Sequence, residues 1–268
     1  MKAYVRLSDG KKGQQIALPF QFSENYRPDL IKRAVHVIQS RQRQPYGTNP
    51  RAGLRTSAKH VARRSIYGSW ANRGISRMKR IGRGKGPLTG TGRVAPHAVK
   101  GRKAHPPKVE KDYALKINDS ERRFAIRSAI AATGAKDIVA ARGHKVTNID
   151  AFPIVCEDKI ESVLKTKDAL DMLVSFGLSD DIDRSSVRKI RAGKGTMRNR
   201  LYRIKKGPLI VVDTNKGIND ALANVTGVDV VEVKNLNAEM LAPGTHPGRL
   251  TVWTKSAIET LEKEKLFM

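Results

Sequence analysis

The sequence predicts an α/β fold, with a mainly parallel central sheet, flanking helices and a long extended basic loop. In the second half of the chain, short unbroken runs of β-branched residues alternate with helical patterns, which is typical of a parallel sheet covered on both faces. In the first half, a long glycine-rich basic stretch lacks any sustained periodicity. We therefore expect a globular α/β domain over residues 1–41 and 112–268, and an extended basic Gly-rich loop over residues 42–111.

The first residues predict a small β structure followed by a helix. The segments AYVRL and QQIALPFQF predict two short strands or a hairpin around Gly10–Gly13. The next segment, RPDLIKRAVHVIQSRQR, tolerates Pro28 in its first turn and repeats apolar residues at the spacing of one helix face, namely Leu30, Ile31, Ala34, Val35 and Ile38. This helix leads the chain into the basic region.

Residues 42–117 show neither helical nor strand periodicity, and they contain ten glycines and six prolines. The portion SAKHVARRSIYGSW suggests a short helix. A connection of this length without secondary structure is normally functional or disordered. Because so basic a segment buries little apolar surface to offset charge repulsion and conformational entropy, we expect it to be loose on its own.

Regular patterns return at INDSERRFAIRSAIAATG, which predicts a helix with a capping box from Asn118 to Glu121 and an end at Gly134. The apolar runs AFPIVC, GPLIVVDTN, VDVVEV and RLTVWT then predict strands. The helical segment TKDALDMLVSFG has Thr166 as its cap and Gly177 as its stop. Further helices are predicted for GINDALANVTG, NAEMLAP and TKSAIETLEKEK.

The charge is concentrated in two segments. The chain carries 52 Lys and Arg against 25 Asp and Glu, with a formal net charge of +27 and a pI near 10.5. By direct count, residues 30–109 hold about 20 basic residues and no acid, and Arg188–Lys206 holds about nine in a second acid-free run. The rest of the chain is slightly acidic. Lysine and arginine clustered in this way predict a polyanionic partner, and nucleic acid is favoured over a membrane.

Other classes of function lack support in the sequence. The chain has no run of about 18 apolar residues and no secretory apolar region at its start, so we expect an intracellular protein with no membrane partner. Cys156 is the single cysteine, which excludes an intramolecular disulfide and predicts a buried small side chain rather than a reactive thiol. The six histidines show no metal-binding spacing, so no metal is expected.

Motifs for catalysis and nucleotide binding also fail. AGKGT at 192–196 lacks the spacing and the preceding strand of a Walker loop, and GRGKGPLTGTG at 82–92 lacks the scaffold of a dinucleotide site. YGSWAN does not match the nucleophile-elbow pattern G-x-S-x-G. Asp213 follows a strand at the usual ligand edge of an α/β sheet, although a carboxylate that caps the following turn is the simpler interpretation. We expect no enzyme, no cofactor and no small-molecule substrate.

The basic segments have the composition of RNA-binding regions. Arginine pairs bidentately with phosphate and stacks on bases, and glycine lets the backbone approach a crowded surface. Tyr46, Tyr67 and Trp70 either stack on unpaired bases or pack at turns of the loop itself. Two other classes stay open at this point, namely an RNA-modifying or RNA-cleaving enzyme with a basic arm and a binder of duplex DNA.

Several blocks resemble a known family. They are LRTSA at 54–58, KGRKAHPPKVEKDYALKINDSERRFAIRSAIAATG, KTKDALDML, RAGKGTMRNR and NLNAEMLAPGTHPGRLTVWTKSAIETL. Such blocks are typical of the fourth large-subunit ribosomal protein (L-four) family, in its archaeal and eukaryotic-type branch. The likeness extends in the same order over nearly the whole chain. It implies an α/β domain that binds large-subunit rRNA and a long loop that reaches the wall of the nascent-polypeptide exit tunnel.

The resemblance also implies a function and partners. The chain would be a structural, non-catalytic constituent of the large ribosomal subunit in the cytoplasm, which binds large-subunit rRNA and supports its assembly. Its partners would be that rRNA, neighbouring large-subunit ribosomal proteins and the nascent polypeptide that passes the loop tip. The tip departs from the family pattern, commonly W-G-x-G-R and then P-R, because this chain has YGSWANRGISRMKRIGRGKG with Lys79 at the place of the proline.

Three sets of site residues follow from the resemblance. The rRNA-binding residues of the loop are Arg51, Arg55, Arg63, Arg64, Arg83, Lys85, Arg93, Lys100, Arg102, Lys103 and Lys108. The residues of the loop tip near the exit tunnel are Trp70, Arg73, Arg77, Lys79 and Arg80. A second basic cluster on the globular domain, also expected to bind rRNA, consists of Arg191, Lys194, Arg198 and Arg200.

Overall fold

The computed structural model describes residues 1–82 and 86–268. It divides into two compact units, which we name the globular unit, Met1–Arg41 with Ala114–Met268, and the loop unit, Gln42–Tyr113. Within the globular unit, the chain leaves and returns at one place. There the Ser40 hydroxyl accepts a hydrogen bond from the Leu115 amide at 3.0 Å and donates one to the Val37 carbonyl at 2.7 Å.

The globular unit contains a six-stranded sheet, and its strand order is β2-β1-β3-β8-β6-β7. The strands are β1 Lys2–Arg6, β2 Lys12–Ala17, β3 Ile154–Cys156, β6 Leu209–Val212, β7 Asp229–Glu232 and β8 Thr251–Thr254. The pairs β1–β3, β3–β8, β8–β6 and β6–β7 are parallel, and β1 pairs antiparallel with β2. Two shorter strands, β4 Lys189–Ile190 and β5 Tyr202–Arg203, form a separate antiparallel hairpin. The predicted fold class and the N-terminal hairpin are thus confirmed.

The helices cover this sheet. They are α1 Pro28–Arg41, α2 Asp119–Thr133, α3 Lys136–Ala141, α4 Thr166–Ser175, α5 Ser179–Ser186, α6 Ile218–Leu222, α7 Ala238–Leu241 and α8 Lys255–Lys263. Short 3-10 turns occur at Phe20–Ser23, Asp158–Ser162, Thr196–Arg198, Val233–Asn235 and Pro243–Thr245. Thr254 is the N-cap of α8, and its hydroxyl accepts a hydrogen bond from the Ala257 amide at 3.3 Å.

The sheet separates two hydrophobic clusters. In β6, Leu209 and Val211 belong to a cluster with α1, α2, α7 and α8, whereas Ile210 and Val212 belong to a cluster with α3, α4 and α6. All four β6 side chains are fully buried. This alternation explains the unbroken β-branched run in the sequence, since both faces of the strand pack against helices. Trp253 of β8 lies in the first cluster, edge to face with Phe22 at a centroid distance of 5.2 Å.

Several helix ends differ from the sequence predictions. Asn118 is the N-cap of α2, but its side chain makes no capping hydrogen bond, and the Glu121 carboxylate instead accepts from Arg33 at 3.1 Å. The predicted capping box is therefore wrong, although the helix and its end at Gly134 are confirmed. Thr166 is the first residue of α4 rather than its cap. Gly177 follows that helix at a φ of 81°, as a glycine stop requires.

Other elements were not predicted or are absent. Helices α3 and α5 and the hairpin β4–β5 had no prediction, and α6 is shorter than GINDALANVTG suggested. The segment SAKHVARRSIYGSW contains no helix, so that prediction is wrong. It forms turns instead, with the Ile66 amide bonded to Arg63, Ser69 to Ile66, and Trp70 back to Val61. Arginine-rich turns of this kind bury no continuous apolar face, which a helix needs for packing.

Cys156 is buried, and the Asp213 carboxylate is hydrogen-bonded to a neighbouring helix. Cys156 is 0% exposed, and burial raises the pKa of its thiol, which confirms a buried small side chain. Asp213 accepts a hydrogen bond from the Thr260 hydroxyl at 2.7 Å, while the turn after β6 is capped by Asn215, which accepts from the amides of Gly217 and Asn219. The prediction that Asp213 caps this turn is therefore wrong. Within the described ranges, no helix has the length and apolar character needed to cross a membrane.

Candidate nucleic-acid interface

The loop unit is held together by irregular backbone pairs rather than by helices or strands. Lys59 and Arg80 exchange two backbone hydrogen bonds at 3.0 and 3.2 Å, and Arg80 also forms a bridge with Gly92. The amide of Ile81 donates to Thr91, and that of Arg93 donates to Lys79. Three segments of the loop unit, at residues 59, 79–81 and 91–93, therefore meet at Arg80.

The Arg80 side chain serves this arrangement. Its guanidinium donates to the carbonyl oxygen of Gly90 at 2.8 Å, and to the carbonyl and hydroxyl oxygens of Ser76, both at 3.0 Å. The side chain is partly buried. Arg80 belongs to the predicted loop tip, and its guanidinium binds the loop's own oxygen atoms and so positions the tip backbone.

A small apolar cluster lies beside Arg80. Gly90 has a φ of 78°, and a Cβ atom there would lie 2.9 Å from the Trp70 ring; a Cβ atom at Gly92 would overlap the Met78 sulfur. Arg73 stacks on Trp70, with its guanidinium carbon 5.4 Å from the ring centroid. The two glycines therefore let Trp70 and Met78 pack inside the loop unit.

The rings considered for base stacking, Tyr46, Tyr67 and Trp70, differ in environment. Trp70 packs against Gly90, as described. Tyr46 stacks on Tyr113, with ring centroids 6.4 Å apart and planes inclined by 15°, and Arg43 lies over the same ring. Tyr67 is 95% exposed. Packing within the loop therefore accounts for Trp70 and Tyr46, and Tyr67 has the ring most accessible to an unpaired base.

The outgoing and returning segments meet again at the loop base. The Thr48 amide donates to the Pro107 carbonyl at 3.3 Å, and a Cβ atom on Gly47 would lie 2.7 Å from a Val109 methyl group. Gly53 has a φ of 76°, and a Cβ atom there would lie 2.5 Å from the Gly101 carbonyl. These segments, 47–54 and 100–110, enclose a cavity of about 620 Å³. Glycine is needed here for close approach of two backbones.

Most of the predicted loop residues have exposed side chains. The exposed set comprises Arg51, Arg55, Arg63, Arg64, Lys100, Arg102, Lys103 and Lys108, together with Arg73, Arg77 and Lys79 of the tip. Arg93 is partly buried and donates to the Val99 carbonyl. Arg83 and Lys85 lie outside the described residues. An exposed guanidinium or ammonium group without a nearby acid is suited to binding phosphate.

The second basic cluster surrounds the hairpin β4–β5. The Arg191 guanidinium donates to the carbonyl oxygens of Arg200 and Tyr202 at 3.1 and 3.3 Å, so this side chain supports the turn. Lys194, Arg198 and Arg200 are exposed. Ile190 and Met197 are 76% and 80% exposed. The hairpin therefore presents cations and apolar groups together, which suits contact with both phosphates and bases.

Sequence reasoning missed further cations near this cluster. Arg188, Lys189, Arg203 and Lys205 are exposed and lie within the second acid-free run. Arg142 and Arg184, from the elements α3 and α5 that were not predicted, lie beside them. The acid-free run was a signal for the first four. For Arg142 and Arg184 the sequence held no signal, because only the fold brings them together.

The carboxyl edge of the sheet holds a buried acid with many partners. Glu161 is 1% exposed and accepts hydrogen bonds from the Asp213 amide, the Thr254 hydroxyl and the Ser256 hydroxyl at 2.8–3.0 Å. The Lys216 ammonium lies 3.5 Å from its other oxygen. These hydrogen bonds join the ends of β6 and β8 to the start of α8, so Glu161 has a structural role. Among the described residues, no group of three His, Cys, Asp or Glu side chains is placed to hold a metal ion.

Comparison with known proteins agrees with this picture. The sequence model described as the ribosomal protein L4/L1 family matches residues 16–264. The chain is 50% identical over 255 residues to the large ribosomal subunit protein uL4 of Nanoarchaeum equitans, which covers 94% of each chain. It is 49% identical over 251 residues to the uL4 of Methanosphaera stadtmanae, covering 92% of this chain and 91% of that one. Identity to the uL4 of Methanoculleus marisnigri is 47% over 267 residues, 98% and 99% of the two chains.

Proposed function

Because the chain belongs to the ribosomal protein L4/L1 family, we propose that it binds large-subunit rRNA through its loop unit and the hairpin β4–β5. The chain is a structural constituent of the large ribosomal subunit in the cytoplasm and not an enzyme. The observation that carries the proposal is the exposed, acid-poor set of arginine and lysine side chains on an irregular glycine-rich backbone.

The physical reason lies in the balance of charge and burial in the loop unit. Its backbone is fixed by the hydrogen bonds of turns and irregular pairs, with apolar packing such as that of Trp70 on Gly90 and Met78 on Gly92, while its cations repel one another. Folded RNA supplies a dense array of phosphates, and binding them releases condensed counterions. RNA contacts therefore stabilise the loop unit and supply the favourable interactions that its own sequence lacks.

The loop tip carries a second part of the proposal. Arg73, Arg77 and Lys79 are exposed, whereas Arg80 is used internally. We place the exposed three at the wall of the nascent-polypeptide exit tunnel, where they would contact rRNA, neighbouring ribosomal proteins and the passing chain. Trp70 contributes by packing, since it fixes the backbone that carries Arg73.

The globular unit contributes the second rRNA contact. Lys194, Arg198 and Arg200 are exposed on the hairpin, and Arg191 holds its turn. Asn199 between them has a φ of 58°, a left-handed conformation that turns the chain and that asparagine tolerates better than most residues. The turn thereby displays the cations in a compact group that supports assembly of the subunit.

A competition experiment tests the proposal. Labelled large-subunit rRNA is bound to the purified protein and challenged with small-subunit rRNA or with duplex DNA over a salt series. We expect large-subunit rRNA to be retained selectively at about 0.3 M salt, where non-specific phosphate binding has largely weakened. Equal displacement by all competitors would leave a general affinity for polyanions and would refute the proposal.

A further inference from the structure

A cationic pocket lies in the globular unit, apart from the predicted site residues. It has a volume of about 870 Å³ and lies between the end of α3, the end of α5, the hairpin β4–β5 and the turn before β8. Its charged lining consists of Arg142, Arg184, Lys189, Arg203, Lys205 and Lys206, with the imidazoles of His144 and His246. None of the described residues that line it is a carboxylate.

Two carboxylates next to the lining residues, Asp181 and Asp229, already form ion pairs. Asp181 is fully buried and accepts from His144 Nδ1 at 3.0 Å, Arg184 Nε at 2.8 Å and the Lys145 amide at 3.1 Å. Asp229 accepts from Lys206 Nζ at 2.9 Å and from the guanidinium of the buried Arg249. These two carboxylates therefore compensate the charges of Arg184, Arg249 and Lys206. The other cations of the lining form no ion pair with a described carboxylate.

Arg142 is the partly buried member of these unpaired cations. Its Nη2 donates to the Pro243 carbonyl at 2.7 Å, and no described carboxylate lies within ion-pair distance. Burial, together with the positive charges of Arg249 and Arg184, lowers the pKa of its guanidinium to about 10. An anion in the pocket would oppose each of these effects, because it would replace lost hydration and offset the neighbouring cations.

The walls of the pocket are apolar beside the cations. They include Tyr26 and Ile204, both 44% exposed, and Pro243 and Pro247 of the turn before β8. The volume exceeds that of one phosphate group and suits a nucleotide, with its sugar or base against these walls. The combination of cations with an exposed aromatic ring is the one that RNA-binding proteins use for single nucleotides.

We propose that this pocket binds one nucleotide of an RNA strand, with the phosphate held by Arg142, Lys189, Arg203 and Lys205. The inference rests on the proposed rRNA-binding function and deepens it. Lys189 and Arg203 belong to the hairpin β4–β5, and none of the four residues belongs to the loop unit or to the predicted cluster. Arg142 supplies a pre-positioned charge, because its guanidinium is anchored on Pro243. The three exposed cations complete the phosphate site from the hairpin side.

The test compares two double variants of equal charge. Arg203→Gln with Lys205→Gln removes two pocket cations, whereas Lys165→Gln with Lys167→Gln removes two exposed cations at the start of α4. We expect the pocket variant to lower affinity for large-subunit rRNA about tenfold and to reduce the slope of log K against log salt by about 2. The control variant should change affinity less than twofold. Arg142→Met removes one cation and should also lower the affinity, with a fall of about 1 in the salt slope.

The outcomes separate this inference from the proposed function. If the unmodified protein does not prefer large-subunit rRNA over duplex DNA, the function itself fails. If it does, and the pocket variant binds like the control, the pocket is not an RNA site. Because Arg142→Met removes a partly buried group, the melting temperature of this variant is measured as well. If the variant unfolds, the result for Arg203→Gln with Lys205→Gln decides whether the pocket binds RNA.

A spectroscopic arm identifies the source of the phosphate. The Arg142 side-chain NH resonance is followed by NMR in the full-length protein during addition of an rRNA fragment, inorganic phosphate or a nucleoside monophosphate. We expect the rRNA fragment to shift it at micromolar concentration and the small anions only at millimolar concentration. Equal responses at equal concentration would indicate a site for a free anion and would overturn the assignment to an RNA strand.

Discussion

The guanidinium of Arg80 lies 2.8 Å from the carbonyl oxygen of Gly90, a residue ten positions further along the chain. Arg77 and Lys79, only a few residues away, have exposed side chains. Basic residues that look alike in the sequence therefore do different things, since Arg80 fixes the loop unit and its neighbours are free to contact a partner.

Arg80→Gln should loosen the loop unit around residues 79–93 in the rRNA-bound protein. The change removes charged hydrogen bonds to Gly90 and Ser76, and loss of about 1.5 kcal/mol corresponds to roughly tenfold faster local opening. Hydrogen exchange at the amides of Ile81, Gly90 and Arg93 measures this. Arg77→Gln removes the same charge and should leave those rates unchanged; equal effects of both variants would contradict the assigned role of Arg80.

Removing the exposed tip cations should alter tip contacts without preventing assembly. In Arg77→Gln with Lys79→Gln, the loop base and the hairpin keep most of the phosphate contacts, so we expect the protein to remain in purified subunits. The salt slope of rRNA binding should fall by about 2. The matched pair Arg51→Gln with Arg55→Gln acts at the loop base and should weaken incorporation more. Loss of the tip variant from subunits would refute this division.

Deleting residues 46–108 and joining the ends with a short flexible linker should leave the globular unit folded. Ser40 and Leu115 are hydrogen-bonded where the chain leaves and returns, so the join imposes little strain. The deletion removes Trp70 and leaves Trp253, whose ring packs on Phe22, as the single tryptophan. Near-UV circular dichroism then reports on the core alone. A structureless near-UV spectrum would show that the globular unit depends on the loop unit.

The stability of the globular unit should fall as the pH drops from 7 to 5. Burial lowers the pKa of His144, against the opposing effect of Asp181. Burial alone would raise the pKa of Asp181, but the hydrogen bonds from His144 and Arg184 hold it below its usual value. Both folded pKa values thus lie below the unfolded ones, so the unfolded chain binds more protons and stability is lost as the pH falls.

The His144 contribution is fully present above its unfolded pKa of about 6.5 and decreases below it, and that of Asp181 follows below about 4. Urea unfolding at a series of pH values measures the free energy of unfolding. His144→Gln should flatten the change between pH 7 and 5. The exposed His246→Gln should retain it. An unchanged slope in His144→Gln would assign the effect to other groups.

The parts of the fold that follow from hydrophobic periodicity were predictable. Helix α1 has a regular apolar face, and β6 is an unbroken apolar run because helices cover both faces of the sheet. Helices α3 and α5 escaped prediction for a physical reason. They have six and eight residues, and α5, SDDIDRSS, is almost entirely polar. Its position depends on the pairing of Asp181 with His144, 37 residues earlier, which no local pattern records.

The candidate site was predictable in composition but not in the roles of individual residues. Acid-free runs identified the basic segments, and exposure agrees for Arg77, Lys194 and Arg198. The internal roles of Arg80 and Arg191 depend on which carbonyl oxygens the folded turns bring within reach. Likewise, Asn215 rather than Asp213 caps the turn after β6, since Asp213 is drawn towards Thr260. Such choices are made by tertiary contacts.

The hydrogen bond between Ser40 and Leu115 has a consequence for how this protein can vary. The chain leaves the sheet-and-helix unit and re-enters it at one point, so residues gained or lost in between need not disturb that unit. Loop-closure entropy rises only slowly with length, by about 0.6 kcal/mol per doubling. Insertions and deletions can therefore change how far the loop extends with little effect on the stability of the globular unit.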